Sequence, residues 1–192
     1  EWKIPLYKIY TDDEDLNLIT KIIKRGNKWA IGPEVEQFED AIKNYVGCDY
    51  CLTLNSGTSA LHASFLAYEL GKGDEIVVPS FTFISTVNSV LFVDAKPTFA
   101  EIEEANLGLD PELIQKKISG NTKAIIPMDC GGLPCKSFEI KEQIEDTELI
   151  LIEDAAEALG SSVKGTKVCS NADLSIFSFC RSEELRVGTE CR

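Results

Sequence analysis

The sequence predicts an α/β fold with three layers, in which a mostly parallel sheet is covered by helices on both faces. Apolar strand patterns alternate with helical patterns along the 192 residues. Residues 149–152 read Leu-Ile-Leu-Ile, and a wholly apolar strand is typical of a sheet buried on both faces. A hydrophobic share of 44% in a chain of this length is enough for one sizeable core.

The first predicted elements are two helices. Residues 11–14 (TDDE) form a capping-box pattern at the start of a helix that Gly26 ends. Pro33 suits the first turn of a second helix, whose apolar residues share one face. We therefore assign residues 1–45 to an N-terminal helical segment.

From residue 46 onward, strands and helices alternate as in a parallel sheet with helical crossovers. The predicted strands are residues 50–54, 75–79, 97–101, 123–128, 149–152 and 174–179. The predicted helices run from the 56–58 turn to residue 70, over 82–91, from the Asp110-Pro111 cap and over 137–145. We assign residues 46–179 to one large domain. Residues 180–192, where the apolar pattern ends, are expected to be a divergent tail.

Composition excludes several classes of partner and site. A net charge of −13 argues against binding to nucleic acid or to an anionic membrane, because both need a basic surface. No apolar run is long enough to span a membrane, and the first residues resemble neither a signal peptide nor a natural start. With a single histidine, His62, a Ser-His-Asp hydrolase is not expected, and no dinucleotide or P-loop motif is present.

The seven cysteines indicate a reduced, cytoplasmic protein, because they are odd in number and spread through a chain that needs no disulfides. Two pairs, Cys48 with Cys51 and Cys130 with Cys135, are close enough in sequence to be considered as zinc ligands. We expect no metal site, since Cys51 begins an apolar run and the second pair has no nearby histidine.

Several candidate binding residues follow predicted strands, at the edge where ligands of such sheets bind. Ser56, Gly57 and Thr58 begin a helix, and its free amides and dipole favour an anion. The same residues also suit an ordinary helix cap. Asp154 follows the apolar strand, where its carboxylate could bind a protonated ring nitrogen or be a solvated acid. The sequence leaves both interpretations open for each site.

Aromatic and small residues complete this candidate set. Phe81 and Phe83 alternate after a strand, so one could stack on a flat ring, or both could belong to the core. Ala156 is small enough to leave room for a ring beside Asp154. Ser178, at the end of the last predicted strand, could add a hydroxyl donor to a phosphate.

In this order the motifs are specific, and the chain resembles the DegT/DnrJ/EryC1/StrS family of pyridoxal-phosphate sugar aminotransferases of fold type I. The matching runs are residues 32–39 (GPEVEQFE), 55–62 (NSGTSALH), 73–83 (GDEIVVPSFTF), 95–97 (AKP), 122–127 (TKAIIP), 153–160 (EDAAEALG) and 176–179 (IFSF). The resemblance covers about residue 4 to residue 179. It therefore implies the N-terminal portion of a family member, with an incomplete large domain that binds the cofactor.

The resemblance implies a cofactor, substrates and a role for each candidate residue. The cofactor is pyridoxal 5'-phosphate or pyridoxamine 5'-phosphate. The family transfers an amino group from glutamate to a nucleotide-linked keto sugar, and its members are homodimers. By this resemblance, Gly57, Thr58 and Ser178 hold the phosphate. Phe83 and Ala156 pack on the two faces of the ring, and Asp154 pairs with the ring nitrogen.

The sequence departs from the family pattern at the position of the catalytic lysine. Counting on from the IFSF run places that lysine at Glu183, and a carboxylate cannot form a Schiff base. The glycine-rich turn that should follow is not recognisable in residues 186–192. Asp129 stands where the family has histidine, and Glu157 where it often has glutamine or histidine. No intact catalytic residue is therefore expected.

Three functional hypotheses follow from these departures. The first is a sugar aminotransferase represented by a portion that does not transaminate as written. The second is a relative of the lysine-free dehydratases that use pyridoxamine phosphate, with Glu183 as the candidate base. The third is a non-catalytic cofactor-binding or regulatory relic, which the acidic surface permits.

Overall fold

A five-stranded parallel sheet forms the centre of the protein in the computed structural model, which describes residues 11–179. The strands are β1 Glu75–Pro79, β2 Lys96–Ala100, β3 Thr122–Ile125, β4 Ile150–Asp154, β5 Ser162–Val163, β6 Thr166–Lys167 and β7 Leu174–Ile176. The sheet order is β2-β1-β3-β4-β7, and β5 and β6 form a separate antiparallel hairpin. Each neighbouring pair within the large sheet is parallel, as the sequence predicts.

Residues 11–179 also contain six α-helices. They are α1 Asp13–Arg25, α2 Pro33–Val46, α3 Gly57–Ala67, α4 Ile84–Phe92, α5 Pro111–Ile114 and α6 Ser137–Ile144. Two short 3-10 turns, Gln115–Lys117 and Cys130–Gly132, follow α5 and β3 respectively. No helix in the described part of the chain has the length and apolar character that crossing a membrane requires.

Side-chain alternation along the strands divides the core into two layers. On β1, β3, β4 and β7, even-numbered residues such as Val78 and Ile152 pack with Leu61 and Phe65 of α3. Odd-numbered residues such as Leu151 pack instead with the apolar sides of α5 and α6. The prediction of a sheet covered on both faces is therefore confirmed, and parity along β4 fixes the layer that each functional side chain enters.

The predicted strand at residues 50–54 is wrong. This segment pairs with no strand in the described residues, and the Thr53 amide and hydroxyl both donate to the Glu39 carboxylate at 2.7 Å. Tyr50 and Leu52 are 91% and 76% exposed, so the apolar alternation does not reflect burial. Cys51 is only half-buried for the same reason.

Local chemistry also moves the ends of several elements. The capping box of α1 begins at Asp12 and closes with Asp15, one residue later than the TDDE pattern suggests. The β5–β6 hairpin was not predicted, because two-residue strands are too short to show alternation. Its turn uses Lys164 and Gly165, both with positive φ, which suits a two-residue hairpin loop.

Helix α2 packs on the large domain rather than standing apart from it. Ile42 and Val46 contact a buried cluster that includes Ala155 and Val168. Helix α1, in contrast, buries none of its side chains. A boundary near residue 45 and a distinct tail from residue 180 remain predictions, and the tail lies outside the described residues.

Candidate functional site

A buried carboxylate, Asp154, ends strand β4 on the side of the sheet that faces α4. It is 2% exposed, and its parity matches that of Ile152 in the α3–α4 layer. The Thr86 hydroxyl donates to Asp154 Oδ2 at 2.7 Å, and the Ala156 amide donates to Oδ1 at 3.2 Å. Each carboxylate oxygen therefore has a donor inside the protein.

Two opposing influences act on the protonation of Asp154. Burial raises the pKa of this carboxyl, and the nearby Glu157 raises it further. The hydrogen bonds from Thr86 and Ala156 lower the pKa, because they stabilise the anion. A cationic N–H placed beside Asp154 would lower the pKa further, so the group is suited to bind one.

The start of α4 and the residue before its N-cap supply a short relay of hydroxyl groups to this carboxylate. The Thr82 hydroxyl donates to Thr86 Oγ1 at 2.8 Å, and Thr86 in turn donates to Asp154. Hydrogen bonds in such a chain polarise and strengthen one another. Phe81 and Phe83 flank Thr82 but are 52% and 64% exposed, so the alternative that both are core residues is wrong.

The start of α3 lies against the segment that follows β7. A Cβ atom added to Gly57 would lie only 3.2 Å from Ser178 Cβ, so glycine permits this close approach. Ser56 caps the helix by accepting the Ser59 amide at 3.1 Å. A helix start beside a serine is a suitable place for an anion, because the amides of the first turn have no partner within the helix.

Helix α4 connects the α3 end of the site to its β4 end. Thr58 Oγ1 lies 2.8 Å from Ser85 Oγ, and the next residue, Thr86, bonds Asp154. The Ala155 amide also donates to the Ile176 carbonyl at 3.0 Å, two residues before Ser178. The structure thus brings Asp154 and the Gly57–Ser178 contact together around neighbouring strand ends.

The remaining sequence-derived candidates have different outcomes. Ala156 is half-buried beside the α3–α4 layer, next to Asp154. Phe83 lies at the N-cap of α4, close in sequence to the relay. Glu157 accepts the Gly131 amide at 2.7 Å, which ties it to the 3-10 turn after β3. Glu183 lies outside the described residues.

Sequence reasoning missed Ser85 and Thr86, and it gave no role to Thr82 within the candidate segment 80–83. The spacing of Thr82 and Thr86 by four residues in the helix predicted over 82–91 was an available signal, because such residues share one face, although α4 begins only at Ile84. Hydroxyl residues are common on helices, however, and only the position of Asp154 distinguishes these from solvated side chains.

A second group of potential ligands lies at the same edge of the sheet. Asp129, Cys135 and Glu153 are buried, and one donor atom from each lies within 4.8 Å of the other two. Asp129 and Cys135 come from the region around the Cys130–Gly132 turn, whereas Glu153 precedes Asp154 on β4. The odd parity of Glu153 directs it toward the α5–α6 layer, away from the hydroxyl relay.

Comparisons with known proteins agree with this architecture. Residues 10–189 match the sequence profile of the DegT/DnrJ/EryC1/StrS aminotransferase family. The chain is 36% identical over 168 residues to the UDP-2-acetamido-2-deoxy-3-oxo-D-glucuronate aminotransferase of Pseudomonas aeruginosa, a match that covers 87% of this chain and 46% of the relative. It spans about half the length of the curated relatives that it matches.

Solved structures support the same fold. PseC of Helicobacter pylori, an aminotransferase involved in the biosynthesis of pseudoaminic acid, gives a TM-score of 0.86 at 27% identity, covering 92% of this chain and 48% of that one. The GDP-4-keto-6-deoxy-D-mannose-3-dehydratase of Escherichia coli, solved with bound hydrated PLP, gives a TM-score of 0.78 at 27% identity, covering 84% and 43%.

Proposed function

The chain belongs to the DegT/DnrJ/EryC1/StrS aminotransferase family, and from this we propose that the carboxyl edge of its sheet binds pyridoxal 5'-phosphate or pyridoxamine 5'-phosphate. One observation carries the proposal. Asp154 is fully buried with a donor on each oxygen, and it lies beside the close contact between Gly57 and Ser178. A buried anion next to a helix start suits a ligand with a cationic ring nitrogen and a phosphate.

Each residue of the site has a proposed task. Asp154 holds the ring nitrogen protonated, and Thr86 keeps the carboxylate oriented and ionised through its 2.7 Å hydrogen bond. The start of α3 receives the phosphate, with contacts proposed for Gly57, Thr58 and Ser178. Phe83 and Ala156 are proposed to cover the two ring faces. The bound cofactor supplies an electron sink for a carbanion next to the substrate nitrogen.

For the whole protein, we propose transfer of an amino group from glutamate to a nucleotide-linked keto sugar. Similarity to a UDP-sugar aminotransferase supports the substrate class. Glu183 stands where the family resemblance places the lysine that binds the cofactor, and a carboxylate cannot form that covalent link. We therefore propose that the chain as written binds the cofactor without a lysine linkage and does not transaminate.

Absorbance and mass spectrometry test this proposal. The chain is mixed with one equivalent of pyridoxal phosphate, treated with borohydride and digested, and the modified peptides are identified. The expected result is saturable binding without a cofactor fixed at one site, and cofactor fixed at residue 183 in a Glu183→Lys variant. Stoichiometric fixation on one lysine of the unaltered chain would contradict the proposal.

A second function, sugar dehydration with pyridoxamine phosphate, is supported by the similarity to the E. coli dehydratase. In that case Glu183 would serve as the base, which a carboxylate can do. Incubation of the chain with stoichiometric pyridoxamine phosphate and a nucleotide-linked 4-keto-6-deoxy sugar should then replace one ring hydroxyl by hydrogen and give a dideoxy product. Pyridoxamine phosphate supplies the two electrons, so it should be converted to pyridoxal phosphate with release of ammonia. Tight pyridoxamine phosphate binding without product would leave the first function favoured.

A non-catalytic role would be indicated by a different result. A chain that folds, as shown by circular dichroism, but binds neither pyridoxal phosphate nor pyridoxamine phosphate would be a relic rather than an enzyme. The circular dichroism control separates loss of the site from loss of the fold.

We also propose that the protein self-associates as a homodimer. Large apolar side chains on α4, Leu91 and Phe92, are 52% and 56% exposed, and Leu66 on α3 is 58% exposed. Adjacent exposed apolar residues of this size are typical of an interface. Sedimentation velocity should show a dimer or larger species, and a monodisperse monomer would contradict this inference.

A further inference from the structure

Three buried side chains converge on the α5–α6 side of the sheet edge. Asp129 is fully buried, Glu153 is 1% exposed and Cys135 is 3% exposed. One donor atom of each lies within 4.8 Å of the other two. The pKa of the Cys135 thiol is raised by burial and by both carboxyl groups, which agrees with a thiol that lies next to them.

Backbone hydrogen bonds fix one oxygen of each carboxyl group. Burial raises the pKa of Glu153, whereas hydrogen bonding from the side chains of Ser137 and Cys169 lowers it. The Cys135 amide donates to Asp129 Oδ1 at 2.7 Å, and the Cys169 amide donates to Glu153 Oε2 at 2.8 Å. The second oxygens, Asp129 Oδ2 and Glu153 Oε1, are buried without a hydrogen-bond partner among the described residues. Buried carboxylates are costly in this state unless they are paired or bind a cation.

No described salt bridge supplies a positive charge to this group. The ion pairs in residues 11–179 involve lysines and an arginine elsewhere, such as Lys136 with Glu103 and Lys141 with Asp173. Two acidic groups and a thiol therefore face one another, and the two orphaned oxygens point to a ligand that carries positive charge.

We propose that Asp129, Cys135 and Glu153 bind one zinc ion. Zinc accepts both thiolate and carboxylate ligands, and three protein ligands with one open position make a common zinc site. In a tetrahedral zinc site with bonds of about 2.0–2.3 Å, neighbouring ligand atoms lie roughly 3.3–3.8 Å apart, so a small inward movement from the present spacing is enough. On binding, the thiol proton and any carboxyl proton leave to solvent.

The zinc site is distinct from the proposed pyridoxal phosphate site. Glu153 and Asp154 are neighbours on β4, and their side chains enter opposite layers of the core. The zinc ion would join the end of β4 to the segment around Cys135. The sequence analysis considered Cys135 only together with Cys130 and expected no metal site there. The partner Glu153 lies 18 residues further along the chain, a separation that sequence spacing does not report.

Metal analysis of the full chain tests the proposal. Protein prepared with zinc and then desalted is expected to retain one equivalent of zinc, and a chelator should lower Tm by roughly 5–10 °C. Cobalt substitution should give a near-ultraviolet charge-transfer band that reports a bond between cobalt and a thiolate. The Cys135→Ser variant should lose this band and its retained zinc.

Cys130→Ser is the matched control, because it removes a thiol from the adjacent turn and should keep both signals. Asp129→Asn provides a second test if Cys135→Ser does not fold, since it preserves volume and removes a ligand charge. It should fold without zinc and show no chelator effect on Tm. Absence of retained zinc in the unaltered protein, or a cobalt–thiolate band that persists in Cys135→Ser, would overturn the proposal.

Discussion

Two adjacent acidic residues on β4 have opposite environments. Asp154 faces α4, and each of its oxygens accepts a hydrogen bond. Glu153 faces the other layer, where its Oε1 has no hydrogen-bond partner in the described part of the chain. Asp129 Oδ2 also lacks a hydrogen-bond partner there. The difference shows that burial alone does not define a role. The available donors decide whether a buried carboxylate is ready to bind a nitrogen or requires a proton or a metal.

The largest expected effect on stability comes from neutralising Asp129, whose carboxyl group is buried beside Glu153. Burial and Glu153 raise the pKa of Asp129 to about 7, from an ordinary value of 3.8. Between these values the folded state holds a proton that the unfolded state has released, so the free energy of unfolding falls as pH rises from about 4 to 7. Above pH 7 the full cost, up to about 4 kcal/mol, is present.

Asp129→Asn should remove this cost, because the amide is neutral and can donate to Glu153. In a chelator, urea unfolding between pH 4 and pH 8 should give a smaller fall in stability for the variant than for the unaltered protein. Above pH 7 the variant should be the more stable of the two. If the unfolding free energies of the two proteins depended on pH in the same way, the titration of Asp129 would not be the cause of the fall in stability.

Around Asp154, whose oxygens both accept hydrogen bonds, removing a donor should lower the stability instead of raising it. Thr86→Val keeps the shape but deletes the hydroxyl that bonds Asp154, which should cost about 2 kcal/mol of unfolding free energy at pH 7. Thr86→Ser keeps the donor and is the control. Urea denaturation measures both, and equal losses in Val and Ser variants would assign the effect to packing instead.

A smaller effect is expected where α3 meets the segment after β7. Gly57→Ala places a methyl group 3.2 Å from Ser178 Cβ and should cost about 1 kcal/mol of stability. Combining it with Ser178→Gly removes the Cβ atom that the new methyl group would contact. The double variant should therefore recover most of the lost stability, except for the entropy cost of ordering the new glycine. Equal stability of Gly57→Ala and the unaltered chain would mean that the contact is not tight.

The sequence predicts the five strands of the large sheet, since residues 149–152 and the other apolar segments have the pattern of buried strands. It also singles out Asp154, at the end of β4, and Gly57, at the start of α3, because both lie in runs typical of the family. It fails at residues 50–54, where Glu39 binds the backbone of Thr53 and replaces a neighbouring strand. Thr86 and the Asp129–Cys135–Glu153 group depend on contacts with β4 across 18 to 68 positions, which periodicity does not report.

Titration with pyridoxamine 5'-phosphate tests most directly whether Asp154 belongs to a cofactor site. This ligand needs no lysine, so its binding does not depend on residue 183. The quenching of ligand fluorescence should show one equivalent bound to the unaltered chain and an affinity roughly 30-fold lower in Asp154→Asn, as loss of a charged hydrogen bond of about 2 kcal/mol implies. Equal affinities for the two proteins, or no saturable binding to a folded chain, would contradict the account.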